Sequence, residues 1–190
     1  MKKISSVWLM GLFLAFIMAS CAKPPTQEMD AAKAAVEACK AEGADIYAQD
    51  EFKKLSDDLQ AALDQVTAKK YKEAREALIK IKADADALKE TIPAKKEQAK
   101  NEALAAQQEA RAALDEAKAL LEKAPRGKGT RADIEAFTAD LKGLEDSFPE
   151  IQAAIDNGDY FGAKDKAVAI KDKANSISEQ IKQAIEKVRR

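Results

Sequence analysis

Small apolar residues recur at intervals of three and four along much of the chain, and this spacing constrains the fold more than any other feature. The longest run comprises Tyr71, Ala74, Leu78, Ile81, Ala85, Leu88 and Ile92, then Ala99, Ala103, Ala106, Ala110, Ala113, Ala117 and Leu120. Residues three and four apart share one face of a helix, and their sustained alternation is typical of packed helical seams. No segment alternates β-branched and polar residues as strands do. We therefore predict an all-α protein, an alanine-rich antiparallel helical bundle.

The helices of the first half are predicted from shorter apolar stripes and from turn residues. One helix is expected over residues 29–42 and is ended by Gly43. The next helix is expected to begin near Asp50, whose carboxylate can cap free backbone amides. Lys69 and Lys70 lie in the short turn that should connect it to the long seam.

Prolines and one glycine divide the rest of the chain. Pro93 lies inside the long seam and predicts either one kinked helix or two helices with a tight break. Further helices are predicted over residues 94–123, 131–157 and 159–188. Pro149 is expected to kink or break the second of these, with Ser147 as a cap, and Asn157-Gly158 supplies the following turn.

Three stretches of sequence return in the same order, which indicates an internal duplication. Residues 32–41, 59–64 and 71–92 reappear as residues 110–119, 151–156 and 160–181. We therefore predict two tandem three-helix units, over residues 29–92 and 93–190, that share a long connecting helix. This connectivity is similar to that of spectrin-type repeats, as an analogy of fold alone.

The N-terminal residues have the order of a secretory signal peptide, which we assign to residues 1–20. Lys2 and Lys3 precede an apolar run from Val7 to Met18, and Ala19 and Ser20 follow it. A helix that crosses a bilayer needs about 20 apolar residues, so this shorter run is not expected to be a permanent span.

Met18-Ala19-Ser20-Cys21 resembles the lipobox of bacterial lipoproteins, although Met18 stands where leucine is usual. The resemblance implies cleavage between Ser20 and Cys21, a diacylglycerol thioether on Cys21, and an amide-linked acyl chain such as palmitate. Ala22 stands where an aspartate would retain such a protein at the inner membrane, which implies the outer membrane. The alternative is an ordinary signal peptide that leaves Cys21 as a thiol.

A proline-containing polar stretch separates Cys21 from the first predicted helix. Residues 21–28 are accordingly predicted to be the lipidated cysteine and a short extended tether. The stretch GADIYAQDEFKKL, which begins at Gly43, and the Tyr71, Ala74, Ala77 pattern resemble a family of bacterial envelope lipoproteins described as domain of unknown function 4398. The resemblance covers about residues 29–90 and implies a lipobox and an alanine-rich helical domain, with no assigned activity.

Composition argues against several classes of function. The chain has 32 basic and 33 acidic residues, so loss of Lys2 and Lys3 with the signal leaves it mildly acidic, and a nucleic-acid partner is not expected. The sequence has no histidine, the commonest general base and metal ligand. Neither a cofactor nor a metal site is predicted.

Four groups of residues are candidate sites. Cys39 fits a buried seam position better than a reactive thiol. The basic glycine loop with Arg126, Lys128 and Arg131 lacks phosphate-loop spacing, and is at most a weak contact for an anionic partner. The acidic pairs Asp57-Asp58 and Asp84-Asp86 are expected on solvated helix faces rather than in a catalytic pair. Tyr71 and Tyr160 are expected to pack at the starts of equivalent helices rather than to line a ligand groove.

The sequence therefore predicts a non-enzymatic helical scaffold or spacer at the periplasmic face of the outer membrane. It would be held in the membrane by the acyl chains on Cys21 and would bind an envelope protein or polymer. The alternative is a module that binds a ligand or polymer in a groove between its helical units.

Overall fold

The computed structural model describes residues 23–125 and 131–189, and of residues 131, 132, 188 and 189 it describes the backbone alone. Every regular element in these ranges is an α-helix, which confirms the predicted all-α bundle. The helices are α1 (Thr26–Ala41), α2 (Ala44–Tyr47), α3 (Gln49–Thr67), α4 (Tyr71–Glu122), α5 (Arg131–Asp146), α6 (Phe148–Asp156) and α7 (Tyr160–Arg189).

The chain divides between Pro93 and Ala94 into two compact units. Unit 1 contains α1, α2, α3 and the first part of α4, and unit 2 contains the rest of α4 with α5, α6 and α7. Of the two arrangements predicted around Pro93, the structure has the single helix, because Pro93 lies inside α4.

Unit 1 is built around the predicted seam of α4. The seam side chains of Ala74, Leu78 and Ala85 are fully buried, and Ile92 is 1% exposed. Other members of this core are Ala32, Val36, Cys39, Ala44, Ala48, Leu55, Ala62 and Ile81. Alanine contributes little buried area itself but lets the helix backbones approach closely, so the few large side chains carry most of the apolar burial.

The first helix begins earlier than predicted, and the predicted tether over residues 21–28 is correspondingly too long. Helix α1 starts at Thr26, and the Met29 amide donates to the Pro25 carbonyl over 2.9 Å. Proline is favoured at a helix start. The carboxylate of Glu28, in the first turn, interacts favourably with the positive end of the helix dipole. The apolar pattern could not reveal this start, because Thr26, Gln27 and Glu28 are all polar.

The connection between α1 and α3 also differs from the prediction. Gly43 ends α1 as expected, with a φ of 95° in the left-handed region. The one-turn helix α2 then follows, and Asp50 is not a cap: α3 starts at Gln49, with Ala48 at the N-cap position. Ala44 and Ala48 are buried. Helix α3 thus starts beside two buried alanines, and no side-chain hydrogen bond caps it.

Unit 2 has the same seam pattern, with its middle helix broken in two. The break falls at Ser147, and Pro149 lies in the first turn of α6. Ser147 occupies the N-cap position but does not cap α6, because its hydroxyl donates to the Gly143 carbonyl over 2.9 Å. The large buried side chains of unit 2 are Leu114, Leu141, Leu144, Phe148, Ile151, Ile155, Ile170, Ile177 and Ile181. The Arg111 guanidinium lies 4.7 Å from the centre of the Phe148 ring.

The turns that precede α4 and α7 have the same backbone geometry. Lys69 and Gly158 occupy equivalent positions and have positive φ angles of 61° and 79°. Their amides donate to the Val66 and Ile155 carbonyls over 2.9 and 3.0 Å. The two sequence copies thus build one turn, with lysine in the first copy where the second has glycine.

This difference leads to a stability prediction for Lys69→Gly. A left-handed conformation costs a residue with a β-carbon about 1 to 2 kcal/mol, whereas glycine adopts it freely. After the larger entropy loss of glycine on folding, we expect the free energy of unfolding to rise by about 0.5 to 1 kcal/mol. Urea denaturation of the variant measures the change. Ala83→Gly, at an exposed position in the interior of α4, is the control and should lower stability by about 1 kcal/mol. Loss of stability in both variants would contradict the turn assignment.

Candidate functional site

Most of the predicted site residues lie outside the part of the chain that the structure describes. Ser20 and Cys21 precede it, and Arg126 and Lys128 fall in the gap between residues 125 and 131. Arg131 begins α5, and its side chain is not described. The nearest described surface to Cys21 in sequence is the start of unit 1.

Three contacts show that α1 and the first part of α4 run in the same direction. An Arg75 Nε–Glu28 Oε1 ion pair of 2.8 Å joins the first turn of α1 to the second turn of α4. Further along, the Cys39 thiol donates to the Ala85 carbonyl over 2.9 Å. Near the end of α1, Lys89 Nζ lies 3.9 Å from Glu42 Oε1. The starts of α1 and α4 and the turn between α3 and α4 therefore lie at one end of unit 1. We call it the anchor-side end, because Cys21, the predicted lipidation site, precedes it in the sequence.

The anchor-side end carries lysines that form no ion pair with any residue that the structure describes. They are exposed, and no carboxylate within the described residues engages them; they are Lys23, Lys69, Lys70 and Lys72. Arg75 differs because Glu28 pairs with it. Sequence reasoning treated Lys69 and Lys70 as turn residues alone, and did not bring Lys23 together with them.

Cys39 is a structural core residue. Its side chain is fully buried, and it is the free cysteine among the described residues. Burial raises the pKa of the Cys39 thiol, with a smaller contribution from the charge of Asp86, while the Lys89 backbone opposes the shift. Because the thiolate is the reactive form, the folded protein holds Cys39 in its unreactive state at neutral pH. Its equivalent in the second copy, Ala117, is also fully buried.

The raised pKa of Cys39 predicts a pH dependence of stability. The thiol form favours the folded state fully below the ordinary thiol pKa of 9.0, and this contribution is lost as the pH rises through the folded pKa. We expect Cys39→Ala to cost about 1 kcal/mol at pH 7 and less at pH 10. Urea denaturation at each pH measures the difference in the free energy of unfolding between the wild-type protein and the variant. Titration of lysine and tyrosine affects both proteins equally and cancels in this difference. Parallel pH curves would contradict a buried thiol.

The acidic pairs are tied into rows of ion pairs along helix faces. Lys53 and Lys54 lie 2.7 and 2.6 Å from the carboxylates of Asp57 and Asp58, one turn later on α3. On α4, Lys80 and Lys82 pair with Asp84 and Asp86 over 2.7 and 2.5 Å. All of these lysine and aspartate side chains are substantially exposed, and such pairs contribute little to stability. Each carboxylate thus faces a lysine on its own helix.

The two tyrosines begin equivalent helices and are both half-buried. Tyr71 is the first residue of α4, and Tyr160 is the first residue of α7 and packs against the core of unit 2.

A small apolar hollow at the other end of α7, next to Ile181 and Ile185, has a volume of about 10 Å³, which is room for one water molecule. Two wider depressions of unit 2 are open to solvent and have volumes of about 510 and 360 Å³. The first lies between α5 and α7 beside Gly143, and the second lies between α4 and α5 beside Lys118. Their volumes reach the range of small-molecule pockets.

No protein-family model, curated protein or solved structure matches the chain. None of the described helices is both long enough and apolar enough to cross a membrane. Within residues 23–125 and 131–189, no group of three or more histidine, cysteine, aspartate or glutamate side chains is placed to hold a metal ion. The lipobox resemblance and the geometry of the two units are therefore the basis for a functional proposal.

Proposed function

We propose that the protein is a lipoprotein of the bacterial cell envelope, anchored through acyl chains on Cys21. Its two helical units act as a non-enzymatic scaffold or spacer that binds other envelope components on the periplasmic side of the outer membrane. The observation that carries the proposal is the position of Met18-Ala19-Ser20-Cys21, which ends four residues before Pro25, the N-cap of α1.

The short separation supports attachment of the folded part directly at the membrane. Consecutive residues of an extended chain advance by at most about 3.6 Å, so the α-carbon of Thr26 lies within about 18 Å of that of Cys21. More than one acyl chain makes membrane attachment effectively permanent. Unit 1 would therefore work at the membrane surface, closer than the longer predicted tether allowed.

The helix surfaces support a binding or spacing role. Lysine–carboxylate pairs cover exposed faces of α3 and α4. Large apolar side chains are exposed at Ile46, Ile79 and Phe161, with exposed fractions of 50%, 56% and 43%. Single exposed apolar residues are normal on protein surfaces, so we use these three as probe positions rather than as an assigned interface.

Photo-crosslinking in intact cells tests the binding role. A photoreactive residue is placed at Ile46, Ile79 or Phe161, and the buried position of Leu141 is the negative control. We expect a covalent adduct with an envelope protein or polymer from at least one exposed position, and none from Leu141. Absence of adducts from all exposed positions, in protein shown to be folded and membrane-associated, would contradict the scaffold proposal.

A further inference from the structure

We propose that the anchor-side end of unit 1 binds the anionic phospholipid headgroups of the membrane that holds the acyl chains. This inference rests on the proposed lipid anchor and adds a second, electrostatic contact to it. It concerns the four exposed lysines, Lys23, Lys69, Lys70 and Lys72, and the helix ends that surround them.

The position of the lysines relative to Cys21 is the first step. Lys23 is two residues from Cys21, and the parallel course of α1 and α4 places the turn with Lys69 and Lys70 at the same end of unit 1. The short connection to Cys21 keeps this end close to the lipid surface. Electrostatic attraction acts over about 8 Å at physiological ionic strength, so proximity decides whether such charges contribute.

The backbone adds to the positive charge of this end. Helices α1 and α4 both begin here, and each helix start carries a partial positive charge, whereas α3 alone ends here with a partial negative charge. The net partial charge of the three helix ends is therefore positive, as are the lysines. Basic clusters next to a membrane attachment are the typical surface for anionic lipid headgroups.

The acidic residues near this end, which include the exposed Asp30 of α1, lie farther into the helices than its outermost lysines. Glu28 is held by Arg75 over 2.8 Å. Asp64 lies in the last turn of α3 and accepts a hydrogen bond from Gln60 over 2.9 Å. Glu73 lies in the first turn of α4, beyond Lys70 and Lys72 along the chain. The outermost charged positions, in the turn and before α1, are lysines.

The opposite end of unit 1 has the opposite charge. The end of α1, the helix α2 and the start of α3 carry Glu42, Asp45, Asp50 and Glu51. Lys40 lies at the same end and Lys89 pairs with Glu42, so the acidic residues there are in excess rather than alone. An anionic surface attracts one end of unit 1 and repels the other, which would hold α1 with its start toward the membrane. A partner that only neutralised individual lysines would not require the two ends of unit 1 to differ in charge.

Fluorescence quenching in vesicles tests the contact. Mature protein from bacterial membranes, with Cys39→Ala, carries a fluorophore on a cysteine at the exposed Ala68 of the anchor-side end or at the exposed Ala41 of the opposite end. It is reconstituted into phosphatidylcholine vesicles, with or without roughly 30% phosphatidylglycerol, that contain a headgroup quencher. We expect about twofold stronger quenching at Ala68 when the anionic lipid is present, and no change at Ala41.

Matched charge reversals assign the effect. Lys69→Glu with Lys70→Glu should abolish the lipid-dependent quenching, whereas Lys33→Glu with Lys40→Glu, on exposed positions of α1, should retain it at the same net charge. Lys23→Glu with Lys72→Glu is a second test pair, and circular dichroism checks that each variant is folded. Equal loss in the test and control pairs, or equal quenching with and without anionic lipid, would overturn the proposal.

Vesicle flotation separates this inference from the proposed anchor. Protein that floats with both vesicle types but lacks lipid-dependent quenching contradicts the headgroup contact alone. Protein that floats only with anionic vesicles contradicts the acyl anchor and supports the headgroup contact. Protein that floats with neither contradicts both.

Discussion

Cys21→Ser is expected to reduce the incorporation of labelled fatty acid into the protein to background. The lipobox resemblance places the diacylglycerol thioether on this sulfur, and serine offers no thiol for it. Each buried methylene contributes about 0.8 kcal/mol, so loss of the acyl chains removes most of the membrane affinity. Metabolic labelling with an alkyne fatty acid, followed by detergent phase partition, measures both effects.

The chain contains a matched control, because it has two cysteines. Cys39→Ala should leave labelling unchanged, since this thiol is fully buried in unit 1. Persistent labelling of Cys21→Ser, or loss of labelling in Cys39→Ala, would contradict acylation at the assigned sulfur.

Leu78→Ala is expected to lower the free energy of unfolding of unit 1 by about 3 kcal/mol. Leu78 is fully buried in the seam of α4 and is among the largest side chains of a core otherwise rich in alanine. The rest of this core comes from packed helices, including α1 and α3, that cannot easily collapse into the space. The cost therefore includes a cavity as well as lost apolar burial. Urea denaturation followed by circular dichroism measures the change.

The adjacent residue provides the control. Ile79 is 56% exposed, and Ile79→Ala should change stability by no more than about 0.5 kcal/mol. The equivalent of Leu78 in unit 2 is Ala167, which is also fully buried, and Ala167→Leu should cost about 1 to 3 kcal/mol through overpacking. Similar effects of Leu78→Ala and Ile79→Ala would show that the seam is not packed as described.

The seams and turns were predictable because they depend on local spacing. Burial at intervals of three and four follows from helix geometry, so Ala74, Leu78 and Ala85 were correctly placed in the core. Gly43 and Gly158 were correctly placed in turns, where positive φ angles favour glycine. Lys69 also has a positive φ angle, although it is not glycine. Lysine has no preference for this conformation, so the sequence does not predict it.

The helix starts were less predictable because tertiary contacts decide them. Helix α1 begins at Thr26, among polar residues, where Glu28 pairs with Arg75 of another helix. Helix α3 begins after the buried residue Ala48, although Asp50 is a better capping residue by type. The preference of a residue type for the N-cap position is weaker than the effect of burying a neighbouring residue. A single sequence does not show which residues the fold buries.

The resemblance to a lipobox comes from the sequence alone, whereas the grouping of lysines at one end of unit 1 depends on the fold. Lys23 and Lys69 are far apart in sequence and meet at one end of unit 1 only because α1 and α4 run parallel. The predicted topology was sufficient to place these lysines at the same end, since the first and third helices of an antiparallel three-helix unit have the same direction. Charges assigned to turns should therefore be compared across helix ends as well as along helix faces.

Intact mass spectrometry of the protein extracted from native membranes tests the central claim most directly. The account predicts a chain that begins at Cys21 and carries the added mass of a diacylglycerol and an amide-linked acyl chain. A chain that retains residues 1–20, or one with an unmodified residue 21, would contradict it.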